Sequence, residues 1–154
     1  MQKVYLKKGE KMKKYKIGYT QGVFDMFHVG HLNLINRAKE QCEFLIVGVN
    51  SDELVLSYKN KKTIVGENER VEIVANIKAV DKAVISDTLD KVVQHKKLQF
   101  DAIFIGDDWK GSERWKATEE ELAKIGVDLV YLPYTQGVSS TKLRVVADNS
   151  VEEN

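Results

Sequence analysis

A chain of 154 residues with 43% hydrophobic content is long enough for one globular domain with a real core. Its 24 basic and 23 acidic residues leave a net charge of +1, so composition points to neither nucleic acid nor an anionic membrane surface, and any anion binding must be local. The single cysteine, Cys42, excludes an internal disulfide, and no apolar run approaches the roughly 20 residues needed to span a bilayer. The chain therefore reads as cytoplasmic.

The opening MQKVYLKKGEKMKKYK is basic and lacks the apolar segment of a secretory signal. Residues 1–14 are expected to form an arm ahead of a domain over 15–148, with 149–154 a polar tail. Within the domain, short β-branched runs alternate with longer helical stretches. The expected strands are 16–19, 44–49, 83–85, 102–105 and 129–132, near-continuously apolar as parallel strands covered on both faces are. The expected helices are 30–41, 68–79, 89–96, 113–125 and 139–147. In the second of these Val71, Val74, Ala75 and Ala79 make one stripe, with Glu67 or Asn68 near its start as a capping acceptor. This βα order predicts an α/β fold, a Rossmann-like doubly wound five-stranded parallel sheet with helices on both faces.

Such sheets bind ligands beyond the carboxyl ends of their strands, near the point where strand order reverses. Three of the loops at those ends carry unusual residues: 20–31, 106–111 and 133–142. The first places His28 and His31 three residues apart at a helix start, so both imidazoles share one face. The last puts Ser139, Ser140, Thr141 and Lys142 at a helix N-terminus, where free N–H groups and the positive dipole end favour phosphate. A polyanion suits that combination. Each signal also has a plainer reading: a half-buried or metal-binding histidine pair, a solvated lysine loop at 59–62, a turn at Asp107 and Asp108, a helix cap at 139–142. Trp115 and Cys42 read as packing residues, and His95 as exposed and uninvolved.

The stretch GVFDMFHVGHLNLINRAK resembles the first signature of the HxGH nucleotidyltransferases, in particular their cytidylyltransferase branch. The similarity continues in order through NSDE at 50–53, KNKK at 59–62, ENERVEIVANIKAVDKAV from Glu67, FIGDDWKGS from Phe104 and YTQGVSSTKLR from Tyr134, about residues 15–145 in all. The resemblance implies transfer of CMP from CTP to the phosphate of a small phosphoalcohol, glycerol 3-phosphate for preference, releasing pyrophosphate with Mg²⁺ assisting. A CDP-alcohol of that kind would feed cell-envelope polymers such as teichoic acid. It further implies a homodimer with residues 70–82 near its interface. No protein nucleophile is needed, because such transfer relies on in-line positioning and charge stabilisation.

Carried over by the same resemblance, His28, His31, Lys59 and Lys61 are the expected catalytic residues. The histidines, with near-neutral pKa values, are expected to become protonated as the anion arrives. Thr20, Gly22, Val23, Phe24, Gly30, Asp107, Asp108, Thr135, Gly137, Ser139, Ser140 and Thr141 are expected around the nucleotide, Gly30 because a side chain there would stand between backbone and phosphate. Asp25, Lys61, Lys78 and Tyr134 are expected at the acceptor, and the metal's ligands are not assigned. The chain departs from the branch at three places: Tyr134 and Lys78 stand where arginine is usual, and Leu89 lies near the place of a common tryptophan. Neither tyrosine nor lysine reproduces arginine's bidentate fork. Two alternatives stay open: an ATP-using relative acting on a phosphorylated sugar or vitamin, and a catalytically reduced nucleotide-binding module.

Overall fold

A computed structural model describes residues 13–133. The β-branched runs form strands β1 (Tyr15–Gly22), β2 (Cys42–Asn50), β3 (Lys82–Ser86), β4 (Ala102–Gly106) and β5 (Asp128–Leu132). Among them lie helices α1 (Val29–Glu40), α2 (Asp52–Lys59), α3 (Glu67–Ala75), α4 (Lys91–Leu98) and α5 (Glu113–Ala123). All strand pairings are parallel, in the order β3-β2-β1-β4-β5, so the order reverses between β1 and β4. This is the doubly wound sheet expected from the βα alternation.

Both faces are covered because successive strand residues point to opposite sides. Leu45, Val47, Val49, Ala102 and Phe104 pack with Ile35 and Ala38 of α1 and Val74 of α3. Their neighbours Tyr19, Ile46, Ile103 and Ile105 turn the other way, onto Phe100 and onto Trp115 and Leu122 of α5. The Tyr19 ring stacks on Phe100, with centroids 4.8 Å apart and planes 6° from parallel. Gly48 of β2 makes room for it, since a Cβ at that position would overlap the Tyr19 hydroxyl.

The seam between β1 and β4 is short. Only Gly18 with Ala102 and Tyr19 with Ile103 are in register. Asp101 adds to it below, its backbone N–H donating to the Ile17 carbonyl at 2.8 Å and its carboxylate accepting from the Ile17 N–H at 2.9 Å. Above, the buried Thr20 hydroxyl donates to the Phe104 carbonyl at 2.9 Å, a side chain supplying the cross-strand bond. The carboxyl ends of both strands are thereby held side by side where a ligand would sit.

Strand β1 runs to Gly22, three residues past its expected end, which puts Thr20 and Gly22 in the strand, β2 and α5 shift at their ends, and three helices differ in ways that bear on the site. Residues 52–59 form a helix, α2, capped by the Ser51 hydroxyl, which accepts from the Leu54 N–H, and closed by Asn60 in the left-handed region; Lys59 is its last residue and only Lys61 and Lys62 lie in the loop beyond. Helix α3 ends at Ala75 rather than 79, because residues 76–80 fold into tight turns that bring Ile77, Ala79 and Val80 down onto the core. Ala75, assigned to the apolar stripe, is exposed. Helix α4 covers Lys91–Leu98, entered through an Asp90 cap. The expected helix over 139–147 lies outside the described residues. Among the described residues no helix is long and apolar enough to cross a membrane.

Gly48→Ala should destabilise the fold by about 1–3 kcal/mol through overpacking against Tyr19. Urea titration of the single variant and of Gly48→Ala with Tyr19→Phe checks this: removing the clashing hydroxyl should recover part of the loss.

Candidate active site

The segment joining β1 to α1 turns through two non-glycine residues in the left-handed region, Phe24 at φ 55° and Met26 at φ 49°. That conformation is unfavourable for such side chains and persists where neighbours over-determine it. Here the determinants are visible. The Phe24 ring is buried against the bare face of Gly22, where a Cβ would lie 3.1 Å from the ring. Phe24 meets the His31 ring edge-on at 5.4 Å between centroids, and Phe27 lies 5.3 Å from it.

His28 and His31 form the cap of α1. The His28 Nδ1 accepts from the Gly30 backbone N–H at 3.0 Å, and the His31 Nδ1 accepts from the His28 backbone N–H at 3.3 Å. The two rings stack, with centroids 3.8 Å apart and planes 21° from parallel. With both Nδ1 lone pairs used by backbone donors, each neutral ring carries its proton on Nε2. The His28 Nε2 is buried and has no hydrogen-bond partner among the described residues. Burial lowers the His28 pKa. His31 is pushed down to about 4 by burial and then by its proximity to His28, against the opposing pull of Asp25. The site therefore holds two neutral N–H donors rather than the readily protonated pair expected from an unperturbed imidazole.

Arg70 fixes the frame around this turn. Its side chain is wholly buried, and its guanidinium donates to the carbonyls of Val65 at 2.8 Å, Val23 at 2.7 Å and Asn50 at 2.8 Å, and to the Asp52 carboxylate at 2.6 Å. Burial raises the Asp52 carboxyl, but hydrogen bonds from Thr63 and Arg70 and from the Glu67 backbone outweigh it and hold the group below the usual carboxylate range. Sequence reasoning passes over Arg70 as a site residue. Its signal is an arginine four residues before Val74, on the stripe that faces the core.

The structure gathers several expected site residues but gives some a different task. Thr20 turns its hydroxyl into the sheet, Val23 offers its carbonyl to Arg70, and Gly30 offers its N–H to His28. Asp25, expected at the acceptor, is buried, and its carboxylate accepts from the backbone N–H groups of Ile64 and Val65, both at 2.9 Å. It thus anchors the far end of the segment carrying Lys61. Lys59 and Lys61 are exposed at the near end. Asp107 and Asp108 open a short 3-10 turn just past β4, exposed beside the exposed Trp109. Lys78 is exposed in the turns leading to the amino end of β3, the opposite edge of the sheet from the histidines, so a single chain does not bring it to them. Tyr134, Thr135, Gly137, Ser139, Ser140 and Thr141 lie outside the described residues.

A polar network continues the site across the ends of β1, β2 and β3. The Gln21 amide nitrogen donates to Asn50 at 2.6 Å, to Ser86 at 3.2 Å and to the Thr88 carbonyl at 3.0 Å. Asn50 in turn donates to the Tyr58 hydroxyl at 3.0 Å, and Lys91 donates to the Gln21 carbonyl oxygen at 2.7 Å. Among the described residues no three His, Cys, Asp or Glu side chains gather to hold a metal ion.

Similarities to known proteins bear on the family of the chain. The family model described as cytidylyltransferase-like matches residues 19–146. The glycerol-3-phosphate cytidylyltransferase of Bacillus spizizenii is 35% identical over 126 residues, covering 81% of this chain and 92% of that protein. The bifunctional protein HldE of Koribacter versatilis is 36% identical over 129 residues, 83% of this chain but 26% of its own length. Among solved structures, the lipopolysaccharide core biosynthesis protein of Thermoplasma volcanium superimposes with a TM-score of 0.65 at 25% identity, covering 79% of this chain and 97% of that one.

Nitrogen-15 spectra of the imidazoles at pH 7 should show both rings neutral with Nε2–H, and an acid titration should give His31 a midpoint near 4. The unfolded chain takes up a proton near pH 6.5 that folded His31 refuses. Stability should therefore fall as pH drops from 6.5 toward 4 and stay level on this account above 6.5. Arg70→Met should cost about 2–4 kcal/mol in urea titration, since three carbonyls and a carboxylate lose their shared donor.

Proposed function

The chain belongs to the cytidylyltransferase-like family, and on that premise we propose that it transfers CMP from CTP to the phosphate of a small phosphoalcohol, with glycerol 3-phosphate the first candidate. An acceptor phosphate oxygen attacks the α-phosphorus of CTP, the bond from that phosphorus to the bridging oxygen breaks, and pyrophosphate leaves carrying the electron pair. The observation that carries this reading is the pair of stacked imidazoles at the start of α1, each with Nδ1 tied to the backbone and Nε2–H left to donate. Negative charge grows on the α-phosphoryl oxygens and the leaving oxygen in the transition state, and donors fixed beforehand stabilise it without reorganising. Their place at a helix N-terminus adds the positive end of the α1 dipole. Lys59 and Lys61, just ahead of the stretch anchored by Asp25 and Asp52, supply exposed positive charge for the β- and γ-phosphates. Mg²⁺ enters with CTP as part of the substrate.

A second reading, nucleotidyl transfer to a phosphorylated sugar with ATP in place of CTP, is kept open by the match of the chain to the Koribacter bifunctional protein and to the Thermoplasma lipopolysaccharide core protein. Pyrophosphate release measured with CTP and with ATP, each against glycerol 3-phosphate and a set of sugar phosphates, separates the two. CTP with glycerol 3-phosphate should give the highest kcat/KM; faster release with ATP would sink the first reading, and no release with any pair would sink both. His28→Ala should lower kcat by roughly 10²–10³ with a much smaller change in CTP binding, as expected for a donor used mainly in the transition state.

A further inference from the structure

Tyr58, in the last turn of α2, is 38% exposed, yet its hydroxyl reaches inward to the buried Asn50. That hydroxyl ends a run of hydrogen bonds whose direction is set at the other end. Lys91 is buried, and its ammonium, which can only donate, lies 2.7 Å from the Gln21 side chain, so the amide oxygen faces it. The Gln21 nitrogen then points at Asn50, 2.6 Å away, which must present its own oxygen. The Asn50 nitrogen is left to meet the Tyr58 hydroxyl at 3.0 Å. Tyr58 is thus the acceptor in that bond. A hydroxyl has a single proton, and with a donor on its inward side that proton turns outward. Among the described residues it meets no acceptor.

The surroundings of the outward side are cationic. The Lys59 Nζ lies 5.8 Å from the centre of the Tyr58 ring. Burial raises the phenol pKa, against the Asn50 bond and the charges of Arg114 on α5 and Arg70 on α3, which lower it, so the group is a neutral donor at neutral pH. Arg70 is engaged by Asp52 and three carbonyls, whereas Arg114 has no carboxylate within ion-pair distance among the described residues. The relay is also tied to the histidine turn. Asn50 gives its backbone carbonyl to Arg70, which holds Val23, and Gln21 immediately precedes Gly22. We propose that the Tyr58 hydroxyl donates to an anionic phosphoryl oxygen of the bound substrates, a binding contact whose direction is imposed through Asn50 and Gln21. This rests on the transfer reading above and adds to it a contact from α2. The phosphoryl oxygen belongs either to the triphosphate or to the acceptor, and the two sources separate experimentally.

Calorimetry on the full chain reads both sources, first with a non-hydrolysable CTP analogue and then with glycerol 3-phosphate added to the analogue complex. Tyr58→Phe removes one oxygen and should weaken one of these steps by about 10-fold or more, as for losing a hydrogen bond to a charged group. Loss for the analogue assigns the triphosphate; loss for glycerol 3-phosphate alone assigns the acceptor. A second replacement tests the direction of the bond. Difluorotyrosine in place of Tyr58 keeps the ring, the oxygen and the Asn50 bond but has a more acidic phenol, and a phenolate can still accept from Asn50 while having no proton to donate. Binding of the same ligand should then fade at a lower pH than in the wild type. Unchanged affinity for both ligands in Tyr58→Phe, or a pH profile that difluorotyrosine leaves in place, overturns the proposal. Binding of neither ligand to the wild type overturns it together with the transfer reading. A wild type that releases no pyrophosphate with any substrate pair, while Tyr58→Phe still weakens binding, would strike the transfer reading and leave the contact standing.

Discussion

The site depends on one buried guanidinium. Arg70 joins the end of β1 at Val23, the end of β2 at Asn50, the start of α2 at Asp52 and the Val65 segment. These contacts fall in three stretches well separated in the chain, at 23, 50–52 and 65, and nothing else among the described hydrogen bonds reaches all of them. Buried carbonyls need donors, and a planar group with five N–H bonds can serve several at once where lysine could not. Asp25 and Asp52 complete the frame from the acidic side by holding the backbone of Ile64, Val65 and Glu67. The left-handed turn at Phe24 and Met26 is affordable only within such a frame.

Inside it, the histidines serve two purposes at once. As caps they satisfy backbone donors at the start of α1, a role usually given to serine, threonine or aspartate. Choosing imidazole leaves a second nitrogen on the far side of each ring. The cap thus sets the tautomer, and the tautomer sets what the site offers to a ligand. Burial keeps both rings neutral, and a proton on His28 would further disfavour one on the His31 ring stacked beside it.

The parallel βα class and the histidine turn were legible in the sequence because each rests on local pattern: βα alternation with apolar runs, and an HxGH signature flanked by ordered blocks. Helix α2 was not, since it has eight residues and buries only Val55, although Ser51 followed by Asp52 and Glu53 is a readable start. Arg70 and Lys91 were passed over because charge on an otherwise ordinary helix is usually solvated, and only tertiary packing shows that both are inside. Thr20 and Asp25 sit within the signature, yet their side chains bond to the protein itself; a motif marks a neighbourhood without saying which member faces the ligand. The histidine pKa values could not be read at all, because burial sets them.

The tautomer lock has a bearing on metal selectivity. An imidazole coordinates zinc or copper through a nitrogen lone pair, and here both Nδ1 lone pairs are already occupied by N–H groups of the α1 cap. For Nε2 to coordinate, its proton must move to Nδ1, turning an acceptor into a donor that faces another donor and opening the helix start. A soft ion in the cleft would therefore have to unmake the cap, whereas magnesium arriving on a triphosphate asks for oxygen ligands and leaves it intact.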